Sequence, residues 1–170
     1  MVEFINEVLR EPVHLLGHSM GGYVGLELLD QFPEMLLSFT AAFSNPFTDD
    51  EILRKNRFRG ITMLERKPEL YLKMWAEGLF SKEGLKQHPK LFKDLFQWAL
   101  ETPFEANAGC LKGMAERKDF SSKLQDWSNI HFIIAEDDAV VNTNEMLKTM
   151  ADTSTCLLYT SPSPRDLSTS

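Results

Sequence analysis

The chain has 170 residues, of which 43% are hydrophobic, a composition typical of one globular domain or of part of one. Its 18 basic and 25 acidic residues give a formal charge of −7, which repels nucleic-acid phosphates, so no nucleic-acid partner is expected. Two cysteines cannot build a disulfide framework, no Cys/His cluster has zinc-ligand spacing, and no apolar run approaches the roughly 18 residues of a membrane span. We therefore expect a cytoplasmic protein without a membrane span.

The first 45 residues predict an alternation of helices and strands. Apolar residues at helical spacing indicate the helices, and short apolar runs between breakers indicate buried strands. The predicted elements are a helix at 2–9, a strand at 13–16, a sharp turn at 17–21, a helix at 23–32 and a strand at 36–43.

From about residue 48 to residue 118, the pattern is helical throughout. Capping-box patterns that begin at Thr48 and Thr102 predict helix starts, the second with Pro103 at its first helical position. Pro68 and Pro89 are predicted to occupy first turns of further helices. The aromatic and methionine side chains of this segment could cover an apolar ligand, although core packing is the more ordinary interpretation.

A strand at 130–135, an acidic turn at 136–138 and a helix at 145–150 restore the α/β alternation. Strands joined by helices predict an open, doubly wound parallel sheet, in which sites lie at the carboxyl ends of the strands.

The last 15 residues, 156–170, lose all periodicity and become rich in serine and proline. One interpretation is a disordered tail. The other is an artefact, because residues 156–166 resemble the translation of a transposase adapter used in preparing sequencing libraries. On that interpretation, the natural protein stops being represented near Cys156.

The strongest functional motif is G-x-S-x-G at residues 17–21, directly after a predicted strand and directly before a predicted helix. In this arrangement the serine lies on a strained turn that exposes its hydroxyl as a nucleophile. We expect side chains at Gly17 and Gly21 to collide with the neighbouring strand and helix, which only glycine avoids. The alternative is a glycine-rich turn with an incidental serine.

Residues 17–22, G-H-S-M-G-G, resemble the nucleophile turn of serine esterase-like members of the α/β-hydrolase superfamily, and the resemblance covers about residues 1–155. It implies an α/β-hydrolase fragment, truncated at both ends, that contains strands five to seven of the family. The implied division is hydrolase core at 1–45 and 119–155, a helical cap at 46–118, and the tail at 156–170.

The resemblance also implies the site residues. Ser19 is the expected nucleophile, and the backbone N–H of Met20 is the expected donor to the oxyanion. Residues 135–141 are similar to the family's acid-bearing turn and place Asp138 at the position of the acid. Asp137 is the second choice, and a turn or helix cap is the alternative role for the pair.

A catalytic histidine is not apparent, since every histidine precedes Asp138 and none is placed to take a proton from Ser19. The four are His14, His18, His88 and His131. In the family the base follows an eighth strand, so we expect the base, and a second oxyanion amide, to lie outside this chain.

The implied activity is hydrolysis of small, apolar carboxylic esters through an acyl-enzyme on Ser19, with no metal or organic cofactor. Carbon–carbon bond hydrolases and haloperoxidase-like members also keep the serine and remain open. A non-catalytic binding protein with this fold is the competing class. The chain as written is expected to be inactive and to fold poorly, and its oligomeric state is left open.

Overall fold

The computed structural model describes residues 2–5, 7, 10–135, 138, 141–151 and 157–161, so Asp137 lies outside the described residues. The chain divides into two units. The first contains the described residues up to Phe47 and from Lys118 onward, and the second contains Thr48–Arg117. The second unit begins and ends within two residues of the segment 46–118, whose role as a cap stays a prediction.

In the described part of the chain, the first unit contains a four-stranded parallel sheet with the strand order β1-β2-β3-β4. The strands are β1 (Val13–His18), β2 (Leu36–Ala42), β3 (Ile130–Ala135) and β4 (Leu157–Ser161). In the register of the sheet, His18 pairs with Ala42, and Ala42 pairs with Ile133. Because every strand is parallel, the carboxyl ends of all four lie at one edge of the sheet. The predicted α/β class is confirmed.

Strand β4 differs from one of the two interpretations of residues 156–170, that of a disordered tail. Residues Leu157–Ser161 pair in parallel with β3, from His131 through Ala135. A strand edge offers backbone donors and acceptors to any extended segment, and pairing of this kind needs no apolar periodicity in the added strand. The artefact interpretation of these residues stays a prediction.

The helices of the first unit are α1 (Val2–Phe4), α2 (Met20–Gln31) and α8 (Thr143–Ala151), with 3₁₀ turns at Pro33–Met35 and Ser121–Asp126. Helix α2 lies so close to β2 that a Cβ atom on Gly25 would collide with the Phe39 ring. Phe39, Leu26 and Phe132 are fully buried in the same core. This packing holds the middle of α2 against the sheet.

The second unit is helical, with α3 (Glu51–Arg66), α4 (Pro68–Gly78), α5 (Lys82–Gln87), α6 (Pro89–Glu101) and α7 (Phe104–Ala115). An ion pair joins the two ends of this unit, since the buried carboxylate of Asp49 accepts from Arg117, its last residue, as well as from Arg57. In the described ranges, none of the helices of either unit has the length and apolar character needed to cross a bilayer.

The helix starts agree with the sequence at the prolines and differ at the capping boxes. Pro68 and Pro89 are the first residues of their helices, as predicted. Thr48 does not cap a helix; the N-cap is Asp50, whose carboxylate accepts from the Leu53 amide at 2.6 Å. Thr102 also does not cap a helix, because its hydroxyl donates backward to a carbonyl of α6. Pro103 is the N-cap of α7 rather than its first residue.

Candidate active site

Ser19 lies between the end of β1 and the start of α2, in a backbone conformation that a serine rarely adopts. Its φ of 51° and ψ of −117° fall outside the extended region that helix N-caps normally occupy. Although Ser19 is the N-cap residue of α2, its side chain makes no capping hydrogen bond. Its hydroxyl therefore does not cap the N-terminus of the helix, and the residue is exposed.

Two backbone hydrogen bonds hold Ser19 in this conformation. Its N–H donates to the carbonyl oxygen of Ala42 at 2.9 Å, and its own carbonyl accepts from the N–H of Gly22 at 2.9 Å. The first bond ties the turn to β2, and the second closes the first turn of α2. Ser19 is thus fixed from both sides by neighbouring elements.

One of the two glycines of the motif has the role predicted for it, and the other does not. A Cβ on Gly17 would collide with the Gly21 carbonyl and lie 2.8 Å from the Gly22 nitrogen, so the expected crowding at Gly17 is present. The expectation for Gly21 is wrong, since a Cβ there would meet nothing within 4 Å. The second crowded position is Gly22, where a Cβ would lie 2.5 Å from the Cβ of Ser44. The residue that crowds Gly22 follows the next strand, so a motif confined to residues 17–21 cannot predict this contact.

Met20 is the first residue of α2. The N–H groups of the first turn of a helix have no carbonyl partner within the helix, and the helix dipole places partial positive charge there. The backbone N–H of Met20 therefore has the chemistry that an oxyanion donor needs. Its assignment as that donor stays a prediction.

Asp138 follows the end of β3, the strand on the far side of β2 from Ser19. One carboxylate oxygen of Asp138 accepts from the Val141 N–H at 3.0 Å, which is the contact expected of a turn. The hydroxyl of Thr143 donates to the Ala135 carbonyl at 2.7 Å and closes the turn at its base. A carboxylate has several acceptor positions, so this bond does not preclude a further one to an imidazole.

The sheet sets the separation between Ser19 and Asp138. They follow strands separated by one strand, and two strand spacings of about 4.8 Å put roughly 10 Å between the two chain paths. That separation is too long for a direct hydrogen bond. It leaves room for one imidazole between the two residues, the order in which a Ser-His-Asp triad works.

The histidines of the first unit, His14, His18 and His131, do not fill that place. The Nδ1 atom of His14 lies 2.8 Å from the Ser38 hydroxyl, near the amino end of the sheet. His18 packs edge-on against Phe43, with ring centroids 5.8 Å apart. His131 lies within β3, and His88 precedes α6 in the helical unit. Among the residues that the structure describes, no side chain hydrogen-bonds to the Ser19 hydroxyl.

Sequence reasoning missed Phe43 and Ser44, the two residues that follow β2 beside Ser19. Phe43 has a φ of 51°, and Ser44 is fully buried. Both features arise from packing between distant segments.

Comparison with solved structures identifies the architecture. A thermophilic esterase from Thermogutta terrifontis, with malate bound, matches 95% of this chain at 22% sequence identity and a TM-score of 0.80. The chain has the α/β-hydrolase fold. An enol-lactonase from Burkholderia xenovorans LB400 has the same fold, with 11% identity over 94% of this chain and a TM-score of 0.79. A bromoperoxidase from Bacillus anthracis matches 95% of this chain at 14% identity, with a TM-score of 0.76.

The chain spans about 61% of the length of the first two of these structures and 63% of the third. No protein-family model matches the sequence. A search of curated proteins also found no match. The α/β-hydrolase fold is therefore shown by structure alone.

Proposed function

We propose that this chain is part of a serine hydrolase that cleaves carboxylic esters through an acyl-enzyme on Ser19. The full-length protein is the product of the complete open reading frame that contains the chain. The activity belongs to that protein, because the chain covers only part of the length of the structures that it matches.

The observation that supports the proposal most is the conformation of Ser19. A serine at an N-cap ordinarily adopts an extended backbone and uses its hydroxyl to bond a first-turn amide. Ser19 instead has a φ of 51°, makes no such bond and is exposed. Strained backbone of this kind persists where the surrounding structure enforces it, and it concentrates at functional sites. An incidental serine in a glycine-rich turn would have no reason to be strained.

In the proposed reaction, the Ser19 oxygen attacks the acyl carbon while a histidine takes the hydroxyl proton. The carbonyl oxygen becomes an oxyanion, which the Met20 N–H stabilises. The carbon–oxygen bond to the alcohol then breaks, and the histidine returns the proton to the departing alcohol. Water repeats the sequence on the acyl-enzyme and releases the acid. Asp138 orients the histidine and stabilises its positive charge.

The proposed substrate is a small, apolar ester. The names of two matched structures, an esterase and an enol-lactonase, both refer to ester-type substrates. The helical unit adds exposed apolar side chains, among them Trp75 and Met74 on α4. We propose that such side chains select an apolar acyl group over a charged one.

Hydrolysis of p-nitrophenyl acetate and p-nitrophenyl octanoate by the full-length protein tests the proposal. We expect saturable turnover that is abolished in Ser19→Ala, because the nucleophile is lost. The matched control is Ser38→Ala, which removes a serine hydroxyl at the other end of the sheet and should leave turnover unchanged.

A folded full-length protein that binds these esters but does not cleave them would contradict the proposal and support the non-catalytic class. Turnover that survives in Ser19→Ala would contradict the assignment of the nucleophile.

A further inference from the structure

Phe43 and Ser44 have properties that the proposed triad does not use. Phe43 has a φ of 51°, which for a bulky aromatic residue is a genuine outlier. Ser44 is fully buried, and among the described residues its hydroxyl has no hydrogen-bond partner. Each feature costs stability, the first as backbone strain and the second as a desolvated polar group. Both occur in the segment that follows β2, next to Ser19.

This segment restrains Ser19 from two sides. The carbonyl of Ala42 accepts directly from the Ser19 N–H at 2.9 Å. The Ser44 side chain packs against Gly22 so closely that a Cβ on Gly22 would lie 2.5 Å from the Ser44 Cβ. Gly22 in turn donates its N–H to the Ser19 carbonyl at 2.9 Å. The amide and the carbonyl of Ser19 are therefore both fixed by residues 42–44, the first directly and the second through Gly22.

The strain at Phe43 explains how one short segment makes both contacts. The Phe43 N–H still donates to the Ile133 carbonyl at 2.7 Å, so the chain stays attached to β3 up to this residue. The left-handed conformation then changes the direction of the backbone. Ser44, the next residue, turns toward the start of α2 and packs on Gly22.

We propose that Ser44 is a positioning residue for Ser19, placed by the left-handed Phe43 and acting through Gly22. The catalytic consequence rests on the proposed function, whereas the restraint on the backbone does not. The Ser44 Oγ atom fills the space at Gly22 instead of forming a hydrogen bond, which accounts for a buried hydroxyl without a partner. The structure loses some stability in this segment and gains a fixed nucleophile.

The test compares Ser44→Ala with the wild-type full-length protein by three measurements. Removal of an unpaired hydroxyl should leave the thermal midpoint unchanged or raise it. Ser44→Ala keeps the Cβ and loses the Oγ part of the contact with Gly22. This loss should loosen the turn, so amide hydrogen exchange should accelerate in the peptide that contains residues 19–22. We expect kcat for p-nitrophenyl acetate to fall about tenfold at unchanged KM, since small displacements of a reacting group cost rate rather than binding.

Two further variants separate positioning from ordinary packing. Ser38→Ala, on β2, removes a hydroxyl that lies 2.8 Å from the His14 ring and should change neither the exchange at 19–22 nor kcat. Gly22→Ala places a methyl group where the Ser44 side chain lies, and Ser44→Gly removes that side chain. The double variant should therefore recover part of the activity that Gly22→Ala loses.

A lower thermal midpoint in Ser44→Ala, with exchange and kcat unchanged, would overturn the proposal and leave Ser44 as a core residue only. Failure of the proposed function gives a different result, namely no turnover in the wild-type protein. In that case hydrogen exchange still tests whether Ser44 restrains the backbone of Ser19. Faster exchange at residues 19–22 in Ser44→Ala than in Ser38→Ala supports this restraint, and equal exchange overturns it.

Discussion

Replacement of Ser19 by glycine should stabilise the protein while it abolishes the proposed reaction. Ser19 has a positive φ, a conformation that glycine adopts without a Cβ clash. Residues held in such sparsely populated regions cost about 1–3 kcal/mol each. Glycine also makes the unfolded chain more flexible, which lowers the free energy of unfolding by about 0.4–1 kcal/mol. The difference is a net stabilisation of about 1 kcal/mol, which corresponds to roughly 2–4 °C in Tm for a protein of 150–250 residues.

The matched control is Ser19→Ala, which removes the same hydroxyl and keeps a Cβ in the strained conformation. Thermal unfolding of the two full-length variants, followed by circular dichroism at one scan rate, measures the difference between them directly. We expect the Tm of Ser19→Gly to exceed that of Ser19→Ala by about 2–4 °C, with neither variant showing turnover. A Tm for Ser19→Gly equal to or below that of Ser19→Ala would refute the claim that Ser19 is strained.

The remaining predictions concern the acid, the glycines and the helical unit. Asp138→Asn keeps an acceptor for the turn and loses the charge, so we expect a near-normal Tm and a loss of about 10⁴-fold in kcat, as in other triads; a loss below tenfold would exclude Asp138 as the acid. Gly22→Ala should destabilise the fold by about 1–3 kcal/mol in chemical denaturation through overpacking. Gly21→Ala, in open space within α2, should instead stabilise it by about 0.5–1 kcal/mol, and the reverse order would contradict the packing of this turn. Trp75→Ala, at an exposed position, should change the ratio of kcat/KM for octanoate and acetate esters. Phe96→Ala should mainly lower Tm, because Phe96 packs in the core of the helical unit. An unchanged ratio in Trp75→Ala would count against a role of the helical unit in selecting the acyl group.

Local sequence predicted the elements whose signals are local. The apolar run at Ile130–Ala135 matches β3 at both ends, since polar residues bound it on either side. Strand β1 extends two residues beyond its prediction, through Gly17 and His18, because these residues pair with β2. That pairing depends on a strand more than 20 residues away. A prediction made from residues 13–18 alone therefore misses this pairing.

The cap of α3 shows the same limit at a helix start. Thr48, Asp49 and Asp50 can each cap a helix, and the capping-box pattern favoured Thr48. Asp49 is bound by Arg57 and by Arg117, which lies near the end of the second unit. Asp50 is then the residue adjoining the first turn and caps it. The choice follows from an ion pair that only the folded chain forms.

The motif predicted which residues of the candidate site carry the chemistry. It did not predict the parts of the site whose geometry depends on packing between distant segments. G-x-S-x-G located Ser19 and the crowding at Gly17, because both belong to one local turn. It misplaced the second crowded glycine, since the group that crowds Gly22 is Ser44, 22 residues farther along the chain. The left-handed Phe43 carries no sequence signature, because aromatic residues rarely adopt that conformation.

The most direct test of the central claim is covalent labelling of Ser19. The full-length protein is incubated with a fluorophosphonate, digested and mapped by mass spectrometry, with Ser19→Ala and Ser38→Ala treated in parallel. We predict one phosphonyl adduct, on Ser19, in the wild-type protein and in Ser38→Ala, and no adduct in Ser19→Ala. A folded wild-type protein that carries no adduct, or one whose adduct lies on another residue, would contradict the assignment of Ser19 as an activated nucleophile.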